Sequence, residues 1–177
     1  MLAYRHAFHA GNHADVLKHL VLLQVLRYMN GKDKPYRFVD THAGAGGYSL
    51  QGRYAQKKGE YLEGIARLWE RTDLPEPLAD YVARVREFNP GGALEQYPGS
   101  PAFARMVMRS GDPLCLFELH PTEHRILESY LGGQRNVDVR HAQVERKLRA
   151  RVLLAAKLLL PLRDVVGGEA GTGGVIG

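Results

Sequence analysis

The sequence predicts an α/β fold, and three observations carry that prediction. An apolar run at Tyr36, Phe38 and Val39 ends in Asp40 and opens into Thr41-His42-Ala43-Gly44-Ala45-Gly46-Gly47. This is the form of a buried parallel strand feeding a glycine-rich loop and then a helix. A second strand-like run, Leu114-Cys115-Leu116-Phe117, ends in Glu118, and a carboxylate at a strand's C-terminal edge can accept both hydroxyls of a ribose. Between the two runs the sequence reads as amphipathic helices. In a simple Rossmann unit the ribose acid follows the glycines by about 20 residues; here it comes much later. The helices are therefore read as an insertion, at about residues 52–110, in a Rossmann-like sheet.

Taken in order, residues 14–30 make the first helix, with Asn12 as N-cap, Asp15 in the first turn and Gly31 as the stop. Val16, Leu17, Leu20, Val21, Leu23, Val25 and Leu26 give it a broad apolar face, and Lys18 and His19 read from the pattern alone as solvated. Residues 60–71 read as a helix with Leu62, Ile65, Leu68 and Trp69 inward. Residues 78–88 form another, ended by Asn89-Pro90-Gly91-Gly92. A further helix follows Pro98-Gly99-Ser100-Pro101, with Ser100 as N-cap and Pro101 at the first helical position. Residues 121–131 make the next helix, and 137–141 a short third strand. Residues 145–163 form a basic, leucine-rich helical pattern. The glycine-rich stretch that follows has the composition of an unstructured tail, so the chain divides into a domain over 1–164 and a tail over 165–177.

With 177 residues, 45% of them hydrophobic, the chain suits one domain with an ordinary core. The net charge of +5 is uneven: residues 1–58 hold nine Lys and Arg against three acids, whereas 59–142 hold nine against thirteen. A basic N-terminal third suits contact with a polyanion. The single cysteine, Cys115, sits in an apolar run, which excludes an intramolecular disulfide and fits a reducing compartment. No stretch reads as a signal peptide or a bilayer span, so the expectation is a cytoplasmic protein without membrane contact. Residues 1–13 carry Tyr4, Arg5, His6, Phe8, His9 and His13. They read as an arm of aromatic and cationic groups for bases and phosphates, with an arm packed on its own domain as the alternative. A metal site there is disfavoured, because structural zinc usually takes Cys or more tightly paired ligands, and no metal is expected.

Several longer words sharpen the reading. Tyr4-Arg5-His6, the run from Phe8 through His19, Asp40-Thr41-His42-Ala43-Gly44-Ala45-Gly46, Gly59-Glu60-Tyr61-Leu62-Glu63-Gly64-Ile65-Ala66 and Tyr97-Pro98-Gly99-Ser100-Pro101 keep one order over residues 1–142. In these the chain resembles the RlmJ family, S-adenosylmethionine-dependent methyltransferases that modify N6 of an adenine in 23S ribosomal RNA. The resemblance implies a Rossmann-like methyltransferase sheet, S-adenosylmethionine as cofactor and 23S ribosomal RNA as partner. It implies cofactor contacts at His19, His42, Ser100 and Glu118, and an RNA contact at Tyr4. Where the family carries Asp-Gly against the cofactor's adenine, this chain has Gln143-Val144, and Gln143 can still hydrogen-bond an adenine edge. Where the family's fourth strand delivers Asp-Pro-Pro-Tyr, this chain has Asp164-Val165-Val166-Gly167. Asp164 is the candidate catalytic acid, without the aromatic that would stack on a flipped base. The break after Ala142 suggests a C-terminally truncated sheet or a shifted reading frame, and the alternative function is a monomeric chain that binds cofactor or RNA without turnover.

Overall fold

In a computed structural model, residues 6–52, 55, 57 and 59–142 are described; the expectations for Tyr4, Gln143, Asp164 and the 145–163 helix lie outside them. A single 3-10 turn at His6–Phe8 leads to helix α1 (His13–Asn30). There the Asp15 N–H donates to the Asn12 side-chain oxygen at 2.9 Å, closing the expected cap. Strand β1 (Phe38–Asp40) follows, then β2 (Gly47–Ser49), a 3-10 turn at Glu60–Glu63, α2 (Ala66–Trp69) and α3 (Glu76–Glu87). The chain continues through β3 (Gln96–Pro98), α4 (Ser100–Val107), β4 (Leu114–Phe117), α5 (Pro121–Leu131) and β5 (Val137–Arg140).

The main sheet is parallel with order β1-β4-β5, pairing Phe38 with Leu114 and Leu114 with Val137. Central β4 buries Leu114, Leu116 and Phe117, the near-continuous apolar run that a strand covered on both faces requires. Leu116 packs with Leu26 of α1, Ala104 of α4 and Leu127 and Leu131 of α5. A second apolar cluster joins Leu23 of α1 to Ile65, Tyr81, Val85, Tyr97 and Phe103. Helices α1 and α4 pack on each other and so connect the sheet to the inserted helices. Among the described residues no helix is long and apolar enough to cross a membrane.

Four local expectations change. The glycine loop runs into β2 rather than a helix, because Gly47–Ser49 pairs antiparallel with Gln96–Pro98. The helix expected over 60–71 is broken into a 3-10 turn and the four-residue α2 at Gly64. Gly64 lies so close to the α1 entry that an added Cβ would stand 2.1 Å from the Gly11 carbonyl oxygen, and the next residue, Ile65, donates its N–H to that oxygen at 2.9 Å. Within this segment Ile65 and Trp69 are buried as expected, but Leu62 is exposed. On α1, Leu17, Val21 and Val25 are exposed while His19 is buried, so the inward stripe is narrower than the sequence suggests.

Candidate functional site

The parallel strands end together at one edge, where ligands of open α/β sheets bind. Asp40 closes β1 there and holds two groups. The Ser100 hydroxyl donates to its Oδ2 at 2.5 Å, and the His42 N–H donates to its Oδ1 at 3.0 Å. Ser100 is thereby corrected from the expected N-cap. Gly99 takes that position, Pro101 moves one place into the helix, and the hydroxyl is engaged by β1 instead. The His42 ring stands exposed on the loop, with Nδ1 2.8 Å from the Thr41 hydroxyl. Sequence reasoning quoted Asp40 only as a strand end; its place immediately before the glycine loop is the signal that marks it.

Glu118 closes β4 beside this cluster. Its carboxylate accepts the Gly44 N–H at 2.8 Å and the His120 N–H at 2.6 Å, tying the glycine loop to the second strand. Gly44 has φ +63°, and an added Cβ would lie 2.0 Å from the Tyr48 hydroxyl. The buried Tyr48 ring therefore props the loop from beneath and receives the Ala45 N–H at 3.2 Å. The Gly99 N–H donates to the Gly46 carbonyl at 2.9 Å, drawing the start of α4 onto the same loop. His42, Ser100 and Glu118 thus meet around one glycine cradle.

His19 is placed differently. It is 1% exposed, its ring 4.8 Å from that of Phe103, and its Nδ1 lies 2.8 Å from the Tyr97 hydroxyl. The expectation of a solvated residue at the helix start is corrected, since α1 lies against the β3–α4 segment. Nε2 is buried without a hydrogen-bond partner among the described residues, and such an atom costs about 1–3 kcal/mol. Burial, and then the charge of Lys18, push its pKa down to about 3. From pH 6.5 downward the unfolded chain takes up a proton that the folded chain refuses until about pH 3. Stability is therefore complete above 6.5 and is expected to fall by up to about 1.4 kcal/mol per pH unit below it. Urea unfolding between pH 7.5 and 4.5 measures this, and His19→Gln should flatten the slope; an unchanged slope would refute it.

From His6 onward the N-terminal stretch is tied to its own domain, the alternative reading of the arm. The His6 Nε2 lies 2.8 Å from Asp15 Oδ2, its ring meets Tyr48 edge-on at 5.2 Å, and His9 Nδ1 lies 2.9 Å from Glu60. Asp15 is buried and also accepts from the Gly11 N–H and the Lys18 ammonium. Burial alone would raise its pKa, but the bond to His6 and the cations around it win, and the carboxyl is held well below the usual range.

A parallel sheet whose second strand ends in an acid over a glycine cradle defines a Rossmann-like fold. A model of the family described as "Ribosomal RNA large subunit methyltransferase D, RlmJ" matches residues 33–159, so the likeness continues past Ala142, where the sequence motifs placed its break, and ends before Asp164. The chain belongs to this family. It is 48% identical over 152 residues to the ribosomal RNA large subunit methyltransferase J of Escherichia coli K12, covering 86% of this chain and 54% of that one. It is 48% identical over 141 residues to the Haemophilus influenzae protein of the same name, covering 79% and 50%. The chain thus spans about half the length of the curated relatives it matches. The crystal structure of protein LPL1258 from Legionella pneumophila str. Philadelphia 1 superposes with a TM-score of 0.70 at 38% identity, covering 86% of this chain and 53% of that one.

Proposed function

We propose that the chain acts in S-adenosylmethionine-dependent methylation of N6 of an adenine in 23S ribosomal RNA, in the cytoplasm. The observation that carries the reading is the meeting of Glu118, His42 and the Asp40–Ser100 pair around the Gly44 loop, in a chain of the RlmJ family. The residues present fit that cofactor. A carboxylate has about four acceptor sites, so Glu118 can keep its two backbone N–H groups and still accept ribose hydroxyls. The cradle also favours a nucleoside over a dinucleotide. A pyrophosphate is best held at a helix N-terminus, and this loop runs into strand β2.

The bound cofactor would supply the electrophilic methyl group. Glu118 would hold the ribose, His42, Ser100 and His19 would orient the remainder, and Gln143 would read its adenine. Tyr4 would meet the RNA, and Asp164 would accept a hydrogen bond from the amino group of the target base. The protein's contribution is mainly position: lone pair, methyl carbon and sulfur held in line.

The test is methyl transfer from labelled S-adenosylmethionine to unmodified large-subunit ribosomal RNA. Label in the RNA that is lost in Glu118→Ala is the expected result. Cofactor binding without label would favour the second reading, a binding chain without turnover, for which the Asp164-Val165-Val166-Gly167 sequence speaks. Translating the encoding DNA from codon 135 in three frames separates the origins of that sequence. An Asp-Pro-Pro-Tyr word in another frame would assign catalysis to the corrected chain.

A further inference from the structure

Three buried polar groups form a line, and of the three the proposed chemistry uses only His19. The Tyr81 hydroxyl of α3 lies 3.0 Å from that of Tyr97 in β3, and the Tyr97 hydroxyl lies 2.8 Å from His19 Nδ1 on α1. Tyr81 and Tyr97 are both 0% exposed. Burial pushes both phenols up, so each keeps its proton. Three arrangements of hydrogens are possible. If His19 donated from Nδ1, one hydroxyl hydrogen (that of Tyr81 when Tyr97 donates to it, that of Tyr97 when Tyr81 donates to Tyr97) would need a further acceptor that the line does not contain. If Tyr81 donates to Tyr97 and Tyr97 to Nδ1, both hydroxyl hydrogens are placed. The histidine proton must then sit on Nε2, which has no hydrogen-bond partner among the described residues.

We propose that Tyr97, backed by Tyr81, is a positioning residue that fixes His19 as the Nε2–H tautomer, so that the buried ring offers a donor to the carboxylate of the cofactor's amino-acid part. The acceptor assignment rests on the cofactor reading above; the tautomer does not. Glu118, an acceptor, marks the end of the site that takes ribose hydroxyls. His19 packs on Tyr97 of β3 and Phe103 of α4, and α4 begins at Ser100 beside the cradle. A neutral donor on that side suits the opposite, anionic end of the same molecule. The inserted helices thereby gain a function, since α3 supplies the hydroxyl at the start of the line.

The ring's nitrogen shifts in the ¹⁵N-histidine-labelled chain, without any ligand, give the tautomer directly. The expected spectrum has Nδ1 unprotonated and Nε2 protonated in the parent, a mixture or reversal in Tyr97→Phe, and a smaller change of the same sign in Tyr81→Phe. Should Tyr97→Phe fail to fold, Tyr81→Phe alone decides. A protonated Nδ1 in the parent, or a tautomer indifferent to these substitutions, would overturn the proposal. Binding supplies the second readout: Tyr97→Phe should weaken S-adenosylmethionine about tenfold and leave 5′-methylthioadenosine, which lacks the amino-acid part, unchanged. Equal weakening of both would leave the hydroxyl a purely structural role and refute the acceptor. A parent that binds neither molecule would sink the cofactor reading and the acceptor with it, while the spectrum would still decide the tautomer.

Discussion

Glu118→Ala is expected to raise the dissociation constant for S-adenosylmethionine by about a hundredfold, the largest binding effect of any single substitution at the sheet edge. Hydrogen bonds to a charged group contribute about 1.5–3 kcal/mol each, and a hundredfold corresponds to about 2.7 kcal/mol. The substitution also removes the acceptor for the Gly44 and His120 N–H groups, which should lower stability by about 1–2 kcal/mol as those donors turn to water. Glu118→Gln separates the two effects. Its amide oxygen can still serve one backbone donor while the charge is gone, so binding should weaken about tenfold while the loss of stability is about half that of Glu118→Ala. Titration calorimetry beside urea unfolding reads both quantities. A near-parental dissociation constant in Glu118→Ala would move the cofactor away from this edge altogether.

What could be read from the sequence follows the reach of the forces involved. Helix α1 was legible because its cap and stop lie within its own sequence. Strand β1 was legible from the short apolar run before Asp40, and β5 from the alternation of Val137 and Val139 with Asp138 and Arg140. Strand β4 was legible because burial on both faces demands an unbroken apolar run. Glu118 could be placed from its position at the end of such a run. The ribbon of Gly47–Ser49 with Gln96–Pro98 could not. Its partners are far apart in sequence, and neither three-residue segment carries a pattern long enough to distinguish a strand from a loop. Ser100 shows the same limit from another side. A Ser before a Pro fits an N-cap by local rules, but Asp40, sixty residues earlier, competes for the hydroxyl and takes it.

His19 was the least legible of the candidate residues. A polar ring in the first turns of a helix is more often exposed than buried, and only contact with Tyr97 and Phe103 reveals the opposite. The resemblance pointed to a cofactor role without indicating how a buried, neutral imidazole would serve it. The line from Tyr81 through Tyr97 supplies that physical content, because it determines which ring nitrogen carries the hydrogen.

The largest loss of stability is expected from Gly64→Ala, at 3 kcal/mol or more. The methyl group would be directed at backbone, 2.1 Å from the Gly11 carbonyl oxygen and 2.6 Å from the Asn12 carbonyl carbon, where no side-chain rotation can make room. Either the Ile65 N–H to Gly11 bond breaks or the entry to α1 shifts. That entry holds Asn12, which caps the helix and donates to Glu60, and Asp15, which gathers His6, Gly11 and Lys18. A displacement of this turn would therefore disturb the N-terminal network and the buried Ile65 together, and coupled losses of this kind produce the rare large values among point substitutions. Gly91→Ala is the matched control, since nothing lies within 4 Å of its added Cβ and its φ is outside the left-handed region; it should stay within about 0.5 kcal/mol of the parent. Urea midpoints of the two variants measure the contrast. If Gly64→Ala unfolded at the parental midpoint, the close approach of the 3-10 turn to α1 would not exist in solution, and the segment over 60–71 could be the continuous helix that its sequence pattern suggests.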